Sequence, residues 1–176
     1  VVTGEEKGLL GANYYTNNPT VPISQMVANI NLDMPVLLYD FADIIAFGAN
    51  HSTMGEIVKR AASELNIGLG ADPMPEQALF TRSDHYNFVK KGVPSVFVMT
   101  GFNSRTEGED GGKAWGEFFA NHYHKPSDSW DLPINYESAE RFAAVNIRIG
   151  LAIANQAEKP KWKEDSFFGQ TFASDR

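Results

Sequence analysis

Cysteine is absent from this chain. That excludes a disulfide framework and any cysteine-ligated zinc site, and it says nothing about the redox compartment. No apolar run is long enough to cross a bilayer. Positive charge is sparse: Lys and Arg number 15 against 22 Asp and Glu, a net charge of −7. With no basic stripe, the chain is expected to bind neither nucleic acid nor an anionic membrane. The helix motif HExxH is missing, and so are the GxSxG elbow, the P-loop and GxGxxG, so each of those chemistries lacks its local signature. Internal repeats, low-complexity tracts and linkers are missing too. There is no initiator Met and no targeting signal. Val1 and Val2 read as the inside of a strand, so the chain is expected to be part of something longer.

What is present is an ordinary globular composition of 176 residues, 43% hydrophobic and 21% charged. One domain over 1–176 is expected, with a charged, aromatic surface tail over 158–176. Near the start, residues 3–8 (TGEEKG) set two carboxylates, Glu5 and Glu6, between glycines. Adjacent carboxylates repel and desolvate poorly together, so burial calls for a cation or proton between them. The plainer reading is two solvated glutamates at a helix N-terminus.

The pattern along the chain alternates between the two periodicities. Residues 9–15 read as a short helix, stopped by Asn17, Asn18 and Pro19. Residues 27–34 read as a strand that Pro35 ends, which puts Asp33 at a strand's carboxyl end. Residues 37–39 and 44–47 are further strand candidates. Thr53 and Glu56 have the spacing of a capping box for a helix to about Asn66, and 67–69 reads as an edge strand. Residues 83–92 read as a helix with Ser83 or Asp84 as N-cap and Gly92 just past its end. The apolar run 93–99 follows at once, and the unit implies a βαβ crossover. Residues 102–113 read as a mobile surface loop, 115–120 as a short helix and 121–128 as a polar loop. Asn135 is expected to cap a long helix to about Ala157, with Phe142, Val145 and Ile149 on its buried face. The fold class implied is α/β, a mixed, mostly parallel sheet with helices on both faces. Trp115 and Trp130 read as packing residues or as walls of a pocket.

The titratable residues at strand ends and loops are Glu5, Glu6, Asp33, Asp84, His85, His124 and Asp128. Carboxylates with imidazole suit zinc or another borderline divalent ion. The segments TGEEKGLLGA, NINLDM, RSDHYNFVKKGVPS and YHKPSD, in this order, resemble the zinc-dependent exopeptidases of the aminopeptidase Y type, metallopeptidase family twenty-eight. The Glu6 to Asp33 spacing of 27 (33 − 6) fits that family, and the resemblance covers nearly the whole chain.

The resemblance implies a three-layer αβα fold, a peptide substrate and two zinc ions. It implies Glu5 as the general base, Glu6 and His124 as ligands of one zinc, and Asp33 as a ligand of the other. Asp128 would steady His124, Tyr123 would stabilise the oxyanion, and Arg82, Asp84 and His85 would support the substrate side. It also implies a His-x-Asp segment upstream of the glutamates, including the aspartate that bridges the metals, and nothing here precedes Val1. The first strands of the sheet and part of the ligand set are therefore expected elsewhere, and this polypeptide alone is expected to be inactive, with weak zinc binding at most. Export is expected from the family alone. Two other readings stand beside the aminopeptidase: a glutaminyl-cyclase-like zinc transferase, and a metal-free binding module derived from a peptidase.

Overall fold

Four strands form one sheet, in the order β1-β4-β2-β3, in the computed structural model, which describes residues 1–173. They are β1 (Asn29–Leu32), β2 (Asp43–Phe47), β3 (Gly68–Gly70) and β4 (Ser95–Thr100). β4 is buried at every position, as its unbroken apolar run requires of a strand between two neighbours. β1 runs parallel to β4, and β2 parallel to β3. β2 and β4 are antiparallel, with Ile44 opposite Thr100 and Phe47 opposite Phe97. The sheet is thus mixed and mostly parallel.

Among the described residues there are six α-helices: α1 (Leu10–Asn17), α2 (Met54–Ser63), α3 (His85–Val89), α4 (Gly111–Asn121), α5 (Tyr136–Asn155) and α6 (Phe167–Phe172). α1 and α3 pack together, with α3 on β1 and β4; α2 packs on β2, β3 and α5. The alternation along β1 explains the layers. Asn31 turns to Ser83 beside α3, whereas Ile30 meets α5 at Gly150. The Asn135 cap forms as expected, its Oδ1 accepting the Ser138 N–H at 2.9 Å. α5 then buries Phe142, Val145 and Ile149. α3 ends in a Schellman turn: Val93 N donates to Phe88 O at 3.0 Å and Gly92 N to Val89 O at 2.8 Å, with Gly92 at φ 79°.

Several local expectations give way to tertiary bonds. Residues 37–39 form no strand. Tyr39 is buried, its hydroxyl bonds Gly101 O and Trp115 Nε1, and its carbonyl accepts from Ser138 Oγ at 2.8 Å. The capping box is not made, because Thr53 Oγ1 accepts the backbone N–H of Lys161 at 3.0 Å. Neither Ser83 nor Asp84 caps α3; the Ser83 hydroxyl is taken by Asp33. The α3–β4 unit is not a parallel crossover, since β3 and β4 lie on either side of β2 and run oppositely; the βαβ unit is β2–α2–β3. α4 is longer than expected and starts at Gly111, where Asp110 accepts the Lys113 N–H at 3.0 Å. Val1 and Val2 lie in no strand.

The loop before α4 is tied down. Asn103 holds the buried Asp43 through its backbone N–H (3.0 Å) and its Nδ2 (2.7 Å), and Ser104 bonds Asp40 O. Trp115 lies in the core, whereas Trp130 is exposed. Of the expected tail, 158–173 is described and 174–176 lie outside the described residues. Trp162 bridges to Ser52 and donates Nε1–H to Gly92 O at 2.8 Å, and Phe168 meets His51 and Phe80.

Candidate metal centre and catalytic cluster

Glu5 and Glu6 sit on a single helical turn, Glu5–Lys7, between two left-handed glycines, Gly4 at φ 69° and Gly8 at φ 97°. Glycine takes that conformation freely, and the tight turn it permits projects neighbouring carboxylates from one short stretch. The turn meets two other segments. One is the end of β1, where Asp33 follows Leu32 and Met34 takes φ 46°. The other is the loop after α4, where His124 takes φ 56°. A non-glycine residue at such φ carries strain, and strain of this kind collects at functional sites.

Glu6 and His124 are brought together: His124 Nε2 lies 2.6 Å from Glu6 Oε1, with both side chains about half exposed (49% and 62%). The Tyr123 ring stacks on His124 at 3.7 Å between centroids and packs on Phe119. Asp33 Oδ2 accepts the Ser83 hydroxyl at 2.6 Å, and Ser83 Oγ accepts from Asn31 Nδ2 at 3.0 Å.

The electrostatics tie these groups into one acidic cluster. Burial, then the charges of Asp33, Glu6 and Asp84, push the Glu5 carboxyl above its ordinary value, and His124 opposes them. Burial and Asp33 push Asp84 up as well. Burial, then Glu6 and Glu5, push the Tyr123 phenol up, against Arg82. Tyr123 therefore stays a proton donor, and Glu5 takes up a proton more readily than a solvated glutamate.

Not every candidate joins. Asp128 is exposed, and its carboxylate makes no hydrogen bond or ion pair among the described residues; it is His122 that bonds Ser127 nearby. Arg82 is exposed and donates to Gln77 Oε1 at 3.3 Å. His85 is fully buried between Phe80 and Phe97, its Nε2–H donating to Phe80 O at 2.7 Å and its Nδ1 without a partner. Burial drives its pKa down to about 4, so it is a neutral core imidazole. Sequence reasoning missed Asn31 and Ser83 as site residues. The period of two that sets Asn31 and Asp33 on one face of β1 was the available signal.

Glu6 and His124 touch directly, an imidazole nitrogen at hydrogen-bond distance from a carboxylate oxygen, and both are donor types that zinc takes. They stop at a pair: among the described residues no three His, Cys, Asp or Glu side chains are set to hold a metal ion. A cavity of about 660 Å³ opens elsewhere, beyond the carboxyl ends of β2 and β3, against Phe47, His51, Lys59, Phe80 and Phe168. No candidate site residue lines it. No described helix is long and apolar enough to cross a membrane.

A family model described as Peptidase family M28 matches residues 1–149. Among solved structures, an aminopeptidase from Aneurinibacillus sp. strain AM-1 is similar at 22% identity with a TM-score of 0.58, over 92% of this chain. At that identity the likeness shows the fold, and the chain spans 34% of that aminopeptidase's length. No curated protein matches.

Proposed function

The chain belongs to peptidase family M28, and from that footing we propose that it carries the carboxyl-terminal share of a metal-dependent peptidase site, most simply an aminopeptidase acting on peptides. The observation that carries the reading is the 2.6 Å approach of His124 to Glu6 beside Glu5 and Asp33. Surface carboxylates left to repulsion spread apart; this group is instead gathered at one strand end and held there by strained backbone.

In this reading Glu6 and His124 would hold one zinc and Asp33 another. Zinc when bound supplies Lewis-acid polarisation of an amide carbonyl and of water. The chain's own residues supply the rest. Glu5, with its raised proton affinity, takes a proton from the attacking water and returns it to the leaving amine. Tyr123 keeps its proton, and in this reading it donates to the developing oxyanion. Ser83 fixes one oxygen of Asp33, leaving the other for metal.

A pair and a separate carboxylate fall short of the four donors a zinc ion takes. The reading therefore assigns the remaining donors to a His-x-Asp segment outside this chain, and it makes the chain alone inactive and weak in zinc. The deciding experiment is zinc content after dialysis, on this chain and on a longer polypeptide bearing that segment. Near two zincs in the longer form and little in this chain are expected. No zinc in either, with Glu6 and His124 intact, overturns the reading in favour of a metal-free binding module.

A further inference from the structure

Three successive inward positions of β1 and its end, Asn29, Asn31 and Asp33, put polar side chains on the face that packs against α3. A strand half covered by a helix would gain more from apolar residues there. Asn29 Oδ1 is buried without a partner, which shows what the arrangement costs. Asn31 is different. Its Nδ2–H donates to Ser83 Oγ at 3.0 Å, and Ser83, 4% exposed, donates to Asp33 Oδ2 at 2.6 Å.

A serine hydroxyl has a single proton and two lone pairs. Once Asn31 fills a lone pair with a donated N–H, the Ser83 proton has to point away from it, toward Asp33. An amide nitrogen carries no lone pair to accept that proton, so the direction of the chain of bonds is fixed. We propose that Asn31 is a positioning residue: acting through Ser83, it orients the Asp33 carboxylate so that Oδ2 is held by a donor and Oδ1 would be left for a metal.

The inference rests on the reading of Asp33 as a ligand, and the test keeps the two apart. In the isotope-labelled, metal-free chain at neutral pH, NMR follows the Asn31 side-chain amide and the Asp33 carboxyl carbon. Ser83→Ala should move both signals. Asn31→Val should move the Asp33 signal, and Asn29→Val, a change on the same face with no bond to Ser83, should leave it in place. An Asp33 signal unmoved in folded Asn31→Val overturns the proposal. Should that variant not fold, an Asn31 amide unmoved by Ser83→Ala overturns it instead. In the longer polypeptide with the upstream segment, Asn31→Val should weaken zinc binding roughly tenfold, the scale for groups that orient a metal ligand; unchanged affinity overturns the positioning role. No zinc in the unsubstituted polypeptide, with the NMR shifts as expected, overturns the ligand reading and not the hydrogen-bond chain.

Discussion

His124 meets Glu6 at 2.6 Å from a backbone held in the left-handed region, at φ 56°, with Tyr123 stacked on its ring. The contact itself, half exposed, contributes little to folding, since solvent-screened ion pairs of this kind contribute at most about 1 kcal/mol. The strain works against folding by a similar amount.

His124→Gly should therefore leave stability unchanged or raise it by up to about 1 kcal/mol, as relief of left-handed strain offsets the lost contacts. Zinc uptake by the longer polypeptide should be lost. Denaturant titration and metal analysis of the same preparation check both halves; a large loss of stability would make His124 a structural residue.

Glu5→Gln in the longer polypeptide should cut kcat by on the order of a hundredfold or more, the range for a lost general base. Zinc content should stay as in the parent, because Glu5 carries a proton in the proposed chemistry and Glu6 carries the metal. Peptidase assay beside elemental analysis reads the difference.

Stability should fall as pH is lowered from about 6.5 to about 4, and His85 is a cause. Its folded pKa is about 4 against 6.5 for an ordinary histidine. Between those values the unfolded chain binds a proton that the folded chain refuses, so the unfolded state gains as pH drops. At full effect this is roughly 3 kcal/mol. His85→Leu should flatten the pH dependence of unfolding in that window, even though it leaves Phe80 O without its donor and lowers stability at neutral pH.

Arg141→Ala should destabilise the fold by roughly 3 kcal/mol, the scale for breaking a largely buried ion pair. Arg141 Nη1 lies 2.5 Å from Asp40 Oδ1 and also donates to Phe41 O at 3.1 Å, with the two side chains only 17% and 26% exposed. Asp40→Asn alone should cost less, and adding it to Arg141→Ala should cost little more, which a double-mutant cycle measures.

The elements that were legible in the sequence are those whose signal is entirely local. β4 follows from an apolar run, α5 from the Asn135 cap and a stripe at helical spacing, and the end of α3 from Gly92. Elements went unread where a distant group intervened. Thr53 has the spacing of a capping box, yet its hydroxyl serves Lys161, far along the chain. Ser83 has the chemistry of an N-cap, yet it serves Asp33. Tyr39 sits in a strand-like triplet whose carbonyl is taken by Ser138. The partners of a strand are likewise invisible locally, so nothing in residues 83–99 reveals that β4 stands beside β1 and β2 rather than β3. For the site, residue types pointed to a divalent ion and the order of four segments pointed to the family. The resemblance already set Glu6 and His124 at one place; that Ser83 serves Asp33, and that His85 turns into the core, required the fold.

The opposed directions of β2 and β4 have an architectural effect. Asp33 leaves the sheet at the rim where β1 and β4 finish, whereas the cavity beside Phe47 and His51 opens where β2 and β3 finish, at the other rim. One sheet thus offers two loop-bearing rims, with the fully buried β4 pairing the strand that ends at one to the strand that ends at the other. One segment ties the two rims together: Phe80 and Thr81 line the cavity while Ser83, two residues on, holds Asp33, so a change in that segment reaches both ends of the molecule.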